Sequence, residues 1–310
     1  SGNDDTAKED SVENPYKTLS KAVEVAQDGD TIIVMDDITA EGTVARITDK
    51  HITITSQNQD RPVTITRGDK ISGADSYQKH YNSAIIEVTT NGGDDSENAS
   101  SVTLKNIILT DDGKHSGTYF AQTNTEIDGN MDGNLAFVQD GMITAHGLDN
   151  RSVYIILDEG AVLKDFGGMS AVYATLNANI IMKDGSVIKD EKVEERKKSD
   201  NSPEGETGPA GAVWLQGSRF IMENGASIEN VIGRAVYADG GNAEIDGEIS
   251  NITDSKDIWQ GKTGSAIHIR GDAEVTLGEK FLMDNKKIEE SLSSAVYNCG
   301  GKLDMKYGAV

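Results

Sequence analysis

One nine-residue phrase occurs three times, and a chain that repeats itself at such a period stacks copies of one structural unit. Leu157-Asp158-Glu159-Gly160-Ala161-Val162-Leu163-Lys164-Asp165 returns as Met182-Lys183-Asp184-Gly185-Ser186-Val187-Ile188-Lys189-Asp190. It returns again as Met222-Glu223-Asn224-Gly225-Ala226-Ser227-Ile228-Glu229-Asn230. A shorter phrase runs beside it: Ser170-Ala171-Val172-Tyr173, Gly211-Ala212-Val213-Trp214, Arg234-Ala235-Val236-Tyr237, Ser265-Ala266-Ile267-His268 and Ser294-Ala295-Val296-Tyr297.

The spacing sets the geometry. The first two long phrases lie 25 residues apart and the next pair 40. The excess falls on residues 191–209, a charged and unpatterned insertion. The short phrases are spaced by 41, 23, 31 and 29 residues. A unit of this length, with two or three short strands and glycine corners, matches one turn of a parallel β-solenoid. Stacked strands are about 4.8 Å apart, so roughly ten coils would form a rod near 50 Å long. Equivalent residues would then stack as inward ladders, alanines 171, 212, 235, 266 and 295 in one, and Tyr173, Trp214, Tyr237, His268 and Tyr297 in another. A β-sandwich would instead show hairpin turns of about two to five residues.

The rest of the chain fits an all-β reading. Candidate strands include Thr31–Met35, His51–Thr55, Pro62–Thr66, Ala84–Val88 and Val102–Leu109. In the second of these, alternation puts Ile52 and Ile54 on one face and Thr53 and Thr55 on the other. No long amphipathic helices separate the strands, which argues against βαβ winding. Residues 1–13 are acidic and lack periodicity, and are expected to be disordered. Asn14-Pro15 reads as a helix start, and Leu19, Ala22, Val23 and Ala26 form one apolar face of a helix over about 15–27. Such a helix would cover the open edge of the first coil. The domain is expected to span 14–310, with loop excursions at about 111–141 and 191–209.

Composition excludes several partners. The net charge is −23, which repels nucleic acid and anionic membrane surfaces. No apolar run is long enough to span a membrane as a helix. The single cysteine, Cys299, rules out a disulfide framework within the chain and reads as a small core residue. The chain opens on Ser1-Gly2 and ends inside a repeat, so it is expected to be part of a longer multidomain protein.

The segments Asn14-Pro15-Tyr16-Lys17-Thr18-Leu19-Ser20-Lys21-Ala22, Gln27-Asp28-Gly29-Asp30-Thr31-Ile32-Ile33-Val34 and His51-Ile52-Thr53-Ile54 resemble the start of pectin-lyase-like right-handed parallel β-helix domains. The likeness is to those of large adhesin-like proteins on the surface of Gram-positive bacteria. It implies a right-handed coil with an N-terminal cap helix and an extracellular, cell-surface location. It does not imply one activity, because this fold carries lyases, hydrolases, epimerases and adhesins.

Candidate sites are few. Asp128, Asn130 and Asp132, in Asp128-Gly129-Asn130-Met131-Asp132-Gly133, fit the first half of a calcium loop. The twelfth position is Gln139 and not the bidentate glutamate, so a polar turn competes with a calcium site. Ile267-His268-Ile269-Arg270 resembles the Arg-Ile-Lys strand of pectin hydrolases, but the partner motifs Asn-Thr-Asp and Gly-His-Gly are absent. His268 holds a position that is aromatic in sister coils and reads as a stacking residue. Histidines 51, 80, 115 and 146 lack zinc-ligand spacing. Sugars stack on exposed rings, so Tyr119, Phe120 and Phe137 of the long excursion, with Trp214, are the candidate ligand-binding residues. The favoured reading is a non-catalytic adhesin or stalk module that offers loops to a glycan or a host or matrix ligand. The alternative is a carbohydrate-active enzyme, a polysaccharide lyase or glycoside hydrolase. Carboxylates, or a carboxylate with Arg or Lys, on one face of adjacent coils would distinguish the two.

Overall fold

The computed structural model describes residues 2–9, 11–72, 84–91, 99–112, 141–148, 151–166, 170–191, 211–253, 265–284 and 294–309, with backbone alone at 69–72. The candidate residues Tyr119, Phe120, Phe137, Asp128, Asn130 and Asp132 lie outside them, as do 192–210. The described chain is nearly all-β. Its strands form one 15-stranded and one 8-stranded sheet, in which the paired strands run parallel. The sheets curl around a common core, an arrangement compatible with a β-solenoid.

Strand pairing follows the repeat. One stack of strands begins Thr31–Val34, His51–Ser56, Ser100–Lys105, Val153–Leu157 and Ala178–Met182. The smaller sheet includes Ile108–Thr110, Val162–Lys164, Val187–Lys189 and Ser227–Glu229. A third stack contains Ala45–Thr48, Ile86–Thr89, Ile143–His146 and Ser170–Thr175, then the first half of Gly211–Met222. It continues through Val236–Ile245 to Ser265–Arg270 and Ser294–Asn298.

The long phrase is a strand end, a corner, a strand and a second corner. Leu157 pairs with Met182, and Met182 with Met222. Glycines 160, 185 and 225 take φ of 73°, 77° and 88° at the first corner, where a side chain would be strained. Each corner closes on itself, with Ala161 N donating to Asp158 O at 2.9 Å and Ser186 N to Lys183 O at 3.0 Å. Corners also bond to one another: Gly160 N donates to Gly185 O, and Gly185 N to Gly225 O, both at 3.1 Å. The phrase ends on Asp165, Asp190 and Asn230, all left-handed at φ 51–58°. Asp and Asn tolerate that region best among residues with side chains, which explains why they recur there. Asn106, at φ 46°, similarly splits the expected Val102–Leu109 strand into Ser100–Lys105 and Ile108–Thr110.

Between the corners, Leu163, Ile188 and Ile228 stack fully buried. Ile52 and Ile54 are buried and Thr53 and Thr55 half-buried, as alternation predicts.

The helix spans Leu19–Val25 and starts later than Asn14-Pro15 suggests. Thr18 is its N-cap, accepting from Lys21 N through Oγ1 at 3.2 Å. The Asp4 carboxylate explains the delay. It accepts from Lys17 N at 2.7 Å, Thr18 N at 3.0 Å and Thr18 Oγ1 at 2.7 Å, so it already binds the backbone groups an earlier start would enclose. Residues expected to be disordered thus include a turn tied to the helix start, and Asn3 N also donates to Pro15 O at 3.1 Å. Leu19 and Val23 face the core, and the helix packs against Ala45–Thr48. The Lys50 ammonium donates to the carbonyls of Val23 and Ala26 at the helix C-terminus, where the dipole favours a cation. No helix among the described residues is long and apolar enough to cross a membrane.

Candidate functional site

The third stack carries two side-chain rows on its outward face. Val172 and Ala174 belong to the main core, so alternation turns Tyr173 and Thr175 the other way. Register then aligns Tyr173 with Trp214, Trp214 with Tyr237, Tyr237 with His268 and His268 with Tyr297. The expected ladder exists, but it does not face inward with the alanines. Ala171, Ala212, Ala235 and Ala266 join the main core, whereas Tyr173, Trp214 and Tyr237 form a separate apolar cluster.

The rings touch in sequence. Centroids are 4.8 Å apart for Tyr173 and Trp214, 6.1 Å for Trp214 and Tyr237, 5.0 Å for Tyr237 and His268, and 4.9 Å for His268 and Tyr297. Tilted and edge-on geometries suit the ring quadrupoles, at about 0.5–1.5 kcal/mol per pair beyond area burial. Exposure is 0% at Tyr173, 6% at Trp214, 4% at Tyr237 and 8% at His268, then 36% at Tyr297. Trp214, a candidate ligand residue, therefore lies within a buried row. The reading of His268 as a stacking residue agrees with its place between two tyrosines.

Two residues along each strand runs a second, polar row: His146, Thr175, Gln216, Asp239 and Arg270. Gln216 and Arg270 are exposed and the others half-buried. The rows are joined by hydrogen bonds, Tyr173 Oη donating to Gln216 Oε1 at 2.7 Å and Arg270 Nη1 to Tyr237 Oη at 3.3 Å. That bond, with the Asp239 carboxylate, raises the pKa of Arg270. Burial raises that of the Tyr173 phenol.

Toward the N-terminus the ring row continues as Thr144, Glu87 and Arg46. Arg46 Nε donates to Glu87 Oε2 at 2.7 Å, and the carboxylate is buried. His146 Nε2 is 4.0 Å from Glu87 Oε1, and its ring meets Tyr173 edge-on at 6.0 Å. Burial holds the His146 pKa below its ordinary value, against the pull of Glu87. Beside this end, Asp49 accepts from Thr90 Oγ1 at 2.8 Å and Asn91 Nδ2 at 2.9 Å, with the Arg151 guanidinium 3.9 Å away. Sequence reading missed Arg46, Glu87 and His146 as a group, because no repeated phrase marks the strands that carry them.

At the C-terminal end, Cys299 is exposed and not a core residue. It follows Ser294–Asn298, whose outer edge no further described strand covers, and its Sγ lies 3.5 Å from His268 Nε2. Among the described residues no His, Cys, Asp or Glu group of three or more is placed to hold a metal ion. The chain matches no protein-family model, no curated protein and no solved structure.

Proposed function

We propose that the chain is a right-handed parallel β-helix capped by its N-terminal helix, and that it serves as a non-catalytic binding module of a bacterial cell-surface protein. A glycan is the ligand class. Right-handed crossovers are the rule where parallel strands join within a sheet. Among the described residues the smaller sheet has eight strands and the stack that starts at Thr31–Val34 has nine, in keeping with one strand of each per coil. The observation that carries the binding reading is the pair of outward rows, a buried line of rings flanked by half-buried Thr175 and Asp239 and exposed Gln216 and Arg270. An extended polyhydroxylated chain needs hydrogen-bond donors and acceptors at a regular repeat, which the polar row offers beside a firmly packed line of rings. The coil supplies one set per turn.

The enzyme reading draws on Arg46, Glu87 and His146, which stand on one face of adjacent coils. Against it, glycoside hydrolysis uses two carboxylates about 5–9.5 Å apart, and Glu87 is neutralised by Arg46. A panel of polysaccharides assayed for binding and for released product tests the proposal. Binding without product, weakened by Gln216→Ala and Asp239→Ala, is expected. Released product would overturn the non-catalytic reading. Binding that both substitutions leave unchanged would place the ligand elsewhere.

A further inference from the structure

We propose that the strip around Tyr237 and His268 is an anion subsite that takes a carboxylate or sulfate group carried by the ligand. The proposal rests on the reading of this face as a ligand face, and names the chemistry it selects. Charge is the first argument. In a chain of net charge −23, this strip gathers two guanidiniums about one ring. Arg234 lies over the Tyr237 ring, 5.2 Å from its centroid, and Arg270 reaches the phenol oxygen at 3.3 Å. Asp239 is 4.0 Å from Arg270 Nε, the outer limit of an ion pair. The Arg270 side chain is 57% exposed, so the cation is accessible from solvent.

Buried polar atoms without a partner are the second argument. His268 Nδ1 and Trp214 Nε1 are buried and have no hydrogen-bond partner among the described residues. Their rings flank Tyr237 in the row. A buried polar atom left unpaired costs about 1–3 kcal/mol, so the row keeps two such groups at a price in stability. An indole nitrogen can only donate, and a histidine that gains a proton donates from both nitrogens. Trp214 Nε1, and His268 Nδ1 once the ring is protonated, can each donate to an oxyanion.

The groups around His268 agree. Burial, then Arg234, then Arg270 push its pKa down to about 4. Tyr237, Tyr297 and Cys299 also adjoin it, and Asp239 stands across from Arg270. An anion bound beside the exposed Arg270 would offset the field of that guanidinium and favour the protonated imidazole.

The test is an NMR titration of the five histidines in the full chain, in sodium sulfate and in sodium chloride at equal ionic strength. Sulfate should raise the His268 midpoint by about one unit or more, with little change at the other histidines. Arg270→Gln, on an exposed side chain, should abolish the response while the protein stays folded. Equal midpoints in the two salts would overturn the proposal, as would an undiminished response in Arg270→Gln. A sulfated dextran oligosaccharide, an oligouronate and neutral dextran of equal length then identify the source of the anion. One of the charged pair should bind about tenfold more tightly than the neutral chain. Equal binding of all three would remove the anion subsite and leave the glycan reading intact. A His268 response without binding of any oligosaccharide would do the reverse.

Discussion

The two ends of the outward row share one backbone register and hold opposite chemistry. Arg46, Glu87 and Thr144 continue directly into Tyr173, Trp214 and Tyr237. At one end a carboxylate is buried against a guanidinium, and at the other, rings are buried against rings. Stacking therefore fixes where a side chain stands without fixing what it is. Each end meets the cost of burial in its own way, by ion pairing or by apolar contact.

The largest expected effect lies at the ringed end. Trp214→Ala removes a ring between two tyrosines and should cost about 3–5 kcal/mol in urea unfolding, as aromatic truncations in cores do. A loss near zero would mean that the row does not share in the fold.

His268 gives a pH-dependent version of the same break. Its folded pKa of about 4 lies below the unfolded value of 6.5, so its stability contribution is full above pH 6.5. That contribution falls with pH through the interval down to about 4, by about 3 kcal/mol at the lower limit. His268→Phe keeps a ring and removes the titration, so its unfolding free energy should decline less over this window. Parallel curves for the two proteins would contradict the assigned burial.

At the charged end, Glu87→Gln removes the buried carboxylate that pairs with Arg46. A fully buried pair so broken costs about 3–5 kcal/mol, and the partial exposure of Arg46 should lower this to about 2–3 kcal/mol. Glu87→Gln with Arg46→Met should recover part of the loss, and no recovery would show that the two act independently. The smallest effect is at the junction, where Tyr173→Phe deletes the hydroxyl that bonds Gln216 Oε1 and should cost about 0.5–1.5 kcal/mol.

The contrast also shows what could be read from the chain. The turn length, the alanine and ring registers and the glycine corners follow from the repeated phrases, because in-register stacking places equal residues at equal positions. The left-handed Asp and Asn corners were visible as the last letter of each phrase, though their backbone conformation was not. The direction of the ring row was hidden: Ala171 and Tyr173 are two apart and share a face by simple alternation, yet the alanine joins the core and the tyrosine does not. The pairing of Arg46 with Glu87 joins residues 41 apart in a region without repeats. The helix start moved because Asp4, distant in sequence, binds the cap. Cys299 is exposed beside Ser294–Asn298, whose outer edge no further described strand covers, and position in the stack is not written in its neighbours along the sequence.

The account stands on a single outward row whose members touch in the order of the paired strands. Nuclear Overhauser spectra of protein labelled only at aromatic rings test it most directly. Contacts should link Tyr173 to Trp214, Trp214 to Tyr237, Tyr237 to His268 and His268 to Tyr297, and His146 to Tyr173. A contact from Tyr173 to Tyr237 that passes over Trp214, or the absence of ring contacts between successive paired strands, would contradict it.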